Sequence, residues 1–255
     1  MAGLMTRLGL VPVAVAAFSA CLAMALLVAD SGATPAKRVN ASTIGATTSS
    51  PKPNCPTPNV DNPPADEACQ AMARVTGFQV DADGRHNPFK VREPGTIVAW
   101  GLDVSKPDKS EREFFATAID KSGPPSARLS VLKPKEGGYK LLRQSAVVQL
   151  DSVLGTRPTF TLTDPLRIKK GMFVALTAPT WVSNLADAGA SASDSWRTSR
   201  ESGQCGTEAG DSAAENEADL KQRSRPQQKV GGIRTYACEY RGARILYWAY
   251  YVPKR

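Results

Sequence analysis

Residues 165–181 read PLRIKKGMFVALTAPTW, and the fold turns on the middle of this stretch. From Met172 to Thr177 the side chains alternate, with Met172, Val174 and Leu176 on one face and Phe173, Ala175 and Thr177 on the other. Both faces are largely apolar. A strand with one face in water carries polar residues on that face, so this pattern predicts a strand covered on both sides, at the centre of a two-layer antiparallel β-sandwich. A basic turn with Arg167, Lys169 and Lys170 leads in, and Pro179 ends the run.

Strand-like segments separated by turn residues surround this centre. They fall at Val75–Val80, Thr96–Val104, Ala127–Leu132, Tyr139–Gln144, Val147–Leu150 and Phe160–Leu162, with Ala243–Val252 closing the chain. In the second, Val98, Trp100, Leu102 and Val104 share a face while Gly101 and Asp103 mark the other, which predicts a half-buried strand with Trp100 in the core. The last, ARILYWAYYV, is rich in large residues on both faces. It reads as a second central strand, with a ligand platform as the alternative. Asp81-Ala82-Asp83-Gly84 predicts a turn, and Gly137-Gly138 a hairpin. No alternation of strand and helix recurs, which argues against a parallel α/β fold. The class predicted is mainly β, a jelly-roll-like sandwich with one or two short helices. One of these is expected at Lys109–Ala118, where Ser110 and Glu113 form a capping pattern and Phe114, Phe115 and Ala118 share a side. The other, at Ser212–Gln222, competes with disorder inside a polar excursion at 205–229.

The chain has 255 residues and a formal net charge of +8. Its Lys and Arg residues are scattered more than clustered, which predicts a solvated basic surface and no nucleic-acid partner. Arg7, the apolar stretch Leu8–Ala29 and the small residues Ser31 and Ala33 read as an export signal over 1–33, or as an N-terminal anchor, the only contact with a membrane expected. Residues 34–54, mostly Ser, Thr, Ala, Pro and Lys, read as a flexible tether. A single domain is expected over 55–255, in an exported protein that is extracellular or held at the cell surface. Outside the signal stand Cys55, Cys69, Cys205 and Cys238, an even number that predicts two disulfides in such a chain. Nearness in sequence favours Cys55 with Cys69 and Cys205 with Cys238.

Four stretches, CPTPNVDNPPADEACQA, VTGFQVDADGRHNPFKV, RPTFTLTDPLRIKKGMFVALTAPTW and ILYWAYYVP, resemble a group of exported proteins of high-GC Gram-positive bacteria that carry no assigned function. The resemblance spans about Cys55 to Pro253. It implies export and a shared domain, and transfers no functional residue. The turn Pro-Leu-x-Ile-Lys-Lys-Gly into an apolar strand is also similar to a phrase common in jelly-roll and carbohydrate-binding sandwiches, an analogy of fold alone.

Catalytic signatures are scarce. G-x-S-x-G, H-E-x-x-H, P-loop and G-x-G-x-x-G motifs do not occur. A Ser-His-Asp site would have to use His86, the single histidine. Ser130-Val131-Leu132-Lys133 matches S-x-x-K, but in a strand this spacing puts Ser130 and Lys133 on opposite faces. Asp81, Asp83 and Gly84 suggest a calcium loop whose remaining ligands Arg85, His86 and Pro88 do not supply. Asp103, Glu111 and Glu113 are available carboxylates for glycan hydrolysis. No catalytic residue, metal site or cofactor is therefore expected. The function expected is a non-catalytic exported binding module for an anionic or neutral extracellular or cell-wall polysaccharide. Candidate ligand residues are Trp181, Trp196, Arg197, Arg200, Arg167, Lys169 and Lys170, where rings stack on sugars and cations pair with acidic groups. An envelope-associated structural or protein-interaction domain is the alternative, and a carboxylate-dependent hydrolase a third class.

Overall fold

A computed structural model of the chain describes residues 41–46, 51–57, 68–118, 123–186, 191–202, 205 and 228–254. The expected export signal, most of the tether and the expected helix at 212–222 lie outside them. In chain order the strands are β1 (Ser42–Ile44), β2 (Met72–Ala73), β3 (Thr76–Ala82), β4 (Arg85–His86), β5 (Gly95–Leu102), β6 (Ser126–Lys135), β7 (Gly138–Gln144), β8 (Val148–Gln149) and β9 (Thr159–Ile168). There follow β10 (Phe173–Thr177), β11 (Trp181–Val182), β12 (Leu185–Ala186), β13 (Ser195–Thr198), β14 (Ile233–Arg234), β15 (Cys238–Arg241), β16 (Arg244–Ile245) and β17 (Tyr247–Pro253). The one α-helix among the described residues, α1, spans Lys109–Ala118.

These strands form a mainly-β, sandwich-like fold of two principal sheets, paired antiparallel throughout. The small sheet is four-stranded, in the order β1-β17-β5-β9; the large sheet runs β14-β7-β6-β10-β3-β13-β15, with β4 on β3 and β8 on β6. β10 lies between β6 and β3, as its two apolar faces predict. Val174 and Leu176 join the core shared with the small sheet, alongside Leu129, Val131, Ile97, Trp100, Leu102 and Ala249. Phe173 and Ala175 point the other way, into a second cluster with Phe78, Val80, Leu132, Leu141 and Tyr236. Tyr236 belongs to the segment that returns from the polar excursion, so that return covers the outer face of the large sheet. Burial pushes the Tyr236 phenol far above its usual range, and the neutral hydroxyl donates to Gln228 Oε1 at 2.7 Å.

Beside this aromatic cluster the outer face is polar yet buried. Thr177 Oγ1 lies 2.8 Å from Thr76 Oγ1 and 2.6 Å from Ser130 Oγ, and Gln144 Nε2 donates to Ser130 Oγ at 3.0 Å. Ser130 thus belongs to a hydroxyl network that satisfies buried polar atoms.

Several boundaries differ from expectation for physical reasons. β9 runs on through Pro165, because it is the edge of the small sheet and a missing N–H faces no neighbour there. The closing segment breaks at Leu246: β16 pairs with β12, and β17 crosses into the small sheet. Residues Ser42–Ile44 of the expected tether form an edge strand in register with Ala249–Tyr251, so ordered structure begins before Cys55. The Asp83-Gly84 hairpin has positive φ at both residues, 51° and 69°, as a two-residue turn of the primed type requires. Both disulfides form as paired by nearness, Cys55–Cys69 and Cys205–Cys238. They fit an oxidising, extracellular environment.

The cap of α1 sits two residues earlier than the sequence pattern suggests. Asp108 Oδ1 accepts the Glu111 amide at 2.8 Å, and Glu111 Oε2 accepts the Asp108 amide at 2.7 Å. Ser110 instead donates its hydroxyl to Asp108 Oδ1. Of the adjacent phenylalanines only one can turn inward: Phe115 packs on Trp181 at 5.1 Å, and Phe114 is exposed. The Glu111 amide and Ser110 hydroxyl hold the Asp108 carboxyl below the usual aspartate range. A depressed value means the cap's contribution is complete above that range and is lost as pH falls below it, through the depressed value. In an acid titration followed by NMR, the Glu111 amide should shift with a midpoint below about 3.9. A midpoint at or above that value would contradict the cap.

Candidate functional site

Trp248 and Tyr250 are two apart on β17, so their rings stand on the same outward face of the small sheet, both half-buried. Their partners on β5 are small: Trp248 faces Gly101 and Tyr250 faces Ala99. Only a glycine admits the indole here. A Cβ at Gly101 would come 2.4 Å from the Trp248 ring and 2.8 Å from the Pro158 carbonyl. On the next strand β9 offers Thr159 and Thr161 in register with Gly101 and Ala99, and on the other side β1 sets Thr43 opposite Tyr250. The sheet thus presents two aromatic rings flanked by hydroxyls.

Arg157 completes this surface. Its guanidinium carbon lies 5.0 Å from the centre of the Trp248 ring, and its Nε lies 3.1 Å from Asp103 Oδ2. Burial pushes the Asp103 carboxyl above the usual aspartate range, and Arg157 only partly offsets that. Trp248, Tyr250, Thr43, Thr159, Asp103 and Arg157 line a cleft of about 500 Å³. Its floor is buried and polar as well as aromatic, with Gln79, Phe89, Arg244 and Tyr247. Phe89 stacks on Tyr247 at 4.1 Å. Gln79 Nε2 donates to the Ala243 carbonyl at 3.0 Å, and Gln79 Oε1 accepts the Ile245 amide at 2.8 Å. Arg244 Nε donates to Asp194 Oδ2 at 2.6 Å, and its Nη2 donates to Asp83. Asp194 also accepts the amides of Asp83 and Ser191. Three segments distant in sequence are therefore locked beneath the cleft.

The residues expected to bind from sequence are not gathered at one place. Trp181 is buried in β11, and its Nε1–H donates to the Gly123 carbonyl at 2.9 Å, so it is a core residue beneath α1. Trp196 and Arg197 are neighbours on β13 and point to opposite faces. The indole is buried and stacks on Tyr240 at 4.7 Å. The guanidinium donates from Nε and Nη2 to Glu239 Oε2, at 2.9 and 2.7 Å. Arg200 donates to the Tyr240 hydroxyl at 3.0 Å. Neither tryptophan offers a ring face for stacking. Arg167, Lys169 and Lys170 remain exposed around the β9–β10 turn, apart from this group.

The catalytic candidates are placed as follows. His86 Nδ1 lies 2.7 Å from Asp81 Oδ1, and the Ser195 hydroxyl donates to Asp81 Oδ2 at 3.2 Å. The carboxylate thus stands between serine and histidine, whereas a nucleophilic triad needs the histidine in the middle. Asp83, in the expected calcium-like turn, is engaged by Arg244. Of the carboxylates weighed for hydrolysis, Glu111 and Glu113 lie on α1, and Asp103 is the one acid among the described residues lining the cleft. No family model, curated protein or solved structure matches the chain.

The signal for the missed residues lay in two juxtapositions. A Trp-Gly step at 100–101 and a Trp-x-Tyr step at 248–250 are what a ring lying across a neighbouring strand requires, but pairing the two needs the strand order. Arg157, two residues before β9, carried no such signal. Gly101→Ala should tilt the indole off the sheet, and two-dimensional NMR should show the Trp248 indole resonance displaced while that of Trp181 stays. An unmoved Trp248 resonance would contradict this close approach.

Proposed function

We propose that this protein is an exported, non-catalytic binding module that holds an extracellular or cell-wall polysaccharide in the cleft at Trp248 and Tyr250. The observation carrying this reading is the pair of same-face rings on β17, set on Gly101 and Ala99 and bordered by Thr43, Thr159 and Arg157. Sugar rings have one apolar face and a rim of hydroxyls. Aromatic faces shield the first, and threonine hydroxyls with a positioned guanidinium bond the second. Arg157 is fixed by Trp248 and Asp103 before any ligand arrives, so little ordering is left for binding to oppose. A hydrolase would need a second carboxylate across the cleft from Asp103. The interaction-protein alternative draws less support, since the exposed large apolar side chains among the described residues, Phe114, Val147 and the pair Val230 and Ile233, come from three separate segments.

The test is calorimetric titration of the full-length protein with a panel of neutral and acidic glycan hexamers. At least one hexamer should bind, and Trp248→Ala should weaken it about 30-fold, the ~2 kcal/mol typical of a central aromatic anchor. Tyr250→Ala should weaken it less. Retention of full affinity by a folded Trp248→Ala variant would refute this site.

A further inference from the structure

On the far side of β1 from the Trp248 cleft, sharing Thr43 with it, lies a second groove of about 480 Å³. Arg85, His86, Lys90 and Arg92 line it, against one acid among the described residues, Glu93. The β9–β10 turn adds to this charge. The Gly171 amide donates to the Val91 carbonyl at 2.9 Å, and the Val91 amide donates to the Met172 carbonyl at 2.8 Å, which sets Lys169 and Lys170 beside Lys90 and Arg92. Several cations elsewhere are paired with carboxylates: Arg157 with Asp103, Arg197 with Glu239, Arg234 with Glu201 and Arg244 with Asp83 and Asp194. In the groove His86 faces Asp81, but the other three cations have no such partner among the described residues. Arg85 donates to the Ala46 carbonyl at 2.9 Å, and Lys90 Nζ lies 5.9 Å from the centre of the Phe173 ring. Neither these two nor Arg92 pairs with a described carboxylate. Arg85, Lys90 and Arg92 thus bring unpaired like charges onto one concave surface, with Lys169 and Lys170 on a turn hydrogen-bonded to its rim, and an anion bound there relieves their mutual repulsion.

We propose that this groove is an anion-binding site for a polysaccharide bearing carboxylates or phosphodiesters, so that the natural ligand is an acidic glycan. The polymer's identity rests on the glycan reading of the Trp248 cleft; the anion site itself does not. Guanidinium and ammonium groups spaced along a groove suit charges repeated along a chain, and such pairing weakens with salt.

The experiment measures binding of the full-length protein, at low and high salt, to an oligogalacturonate, a glycerol-phosphate oligomer and a neutral glucan hexamer. The proposal expects one or both acidic oligomers to bind at low salt, about tenfold or more weaker in Lys90→Glu/Arg92→Glu, with the neutral hexamer unaffected. The carboxylate and phosphodiester arms show which group the groove prefers. Lys109→Glu/Arg143→Glu changes the net charge equally, on α1 and β7, and should leave acidic binding within about twofold. Equal losses in the two double variants would overturn the groove, as would an acidic oligomer no better bound than the neutral one. Arg85→Glu alone provides the same reading should the first double variant misfold. Acidic binding that survives Trp248→Ala but not Lys90→Glu/Arg92→Glu supports the groove while refuting the cleft. The reverse pattern supports the cleft and refutes the groove.

Discussion

Arg244→Met should cost about 3–5 kcal/mol of folding stability, a large share of the ~5–15 kcal/mol that holds an ordinary domain together. Arg244 and Asp194 are almost wholly buried, and the guanidinium is also the partner of Asp83. Methionine fills a similar volume, so the loss comes from two carboxylates left without their cation in a poorly solvated place. The backbone amides of Asp83 and Ser191, which also donate to Asp194, soften that loss without supplying a charge. Urea denaturation followed by tryptophan fluorescence measures it. A cost below about 1 kcal/mol would mean that the carboxylates are solvated or otherwise compensated. Adding Asp83→Asn and Asp194→Asn to Arg244→Met should restore much of the lost stability, because neutral amides no longer need a cation. The floor of the cleft would then be tested without its charges.

Phe78→Ala carries the second large effect, again about 3–5 kcal/mol. The ring is fully buried on the outer face of β3, with centroid distances of 5.0 Å to Tyr139 and Phe173 and 5.6 Å to Tyr236. Removing it opens a cavity among aromatic partners that cannot collapse to fill it, since Tyr139 and Phe173 are fixed on β7 and β10 of one sheet. The consequence should be local. Tyr236 loses one of its two ring partners, so the returning segment around 228–236 should show faster amide hydrogen exchange, while the small sheet keeps its protection. A loss under about 1.5 kcal/mol, or faster exchange spread evenly over both sheets, would show that the return segment is not what covers this face.

The parts of the fold that were legible in the sequence are those where one strand's own pattern decides the outcome. Alternation over Met172–Thr177 with two apolar faces placed β10 inside the larger sheet, and four cysteines in near pairs placed both disulfides. β1 was illegible because Ser42-Thr43-Ile44 has no pattern of its own: what orders it is the open edge of β17, some 200 residues away in the chain. The candidate site was legible only as an ambiguity. A strand such as ARILYWAYYV with large residues on both faces says that both faces are covered, but not whether by protein or by ligand. The answer depends on the glycine and alanine across from Trp248 and Tyr250, which is a matter of register. Trp196 misled for the complementary reason, since a tryptophan next to an arginine in a strand puts its ring on one face and the charge on the other, and Trp181 because α1 covers its ring.

The most direct measurement of the central claim is the behaviour of the four tryptophan indole resonances when the full-length protein is titrated with a bound glycan hexamer. Trp100, Trp181 and Trp196 are buried, and Trp248 alone lines the cleft. The Trp248 resonance, assigned by its absence in Trp248→Phe, should move and saturate with the ligand while the other three stay within line width. Movement of Trp181 or Trp196 with Trp248 unchanged would place the ligand elsewhere and contradict the account.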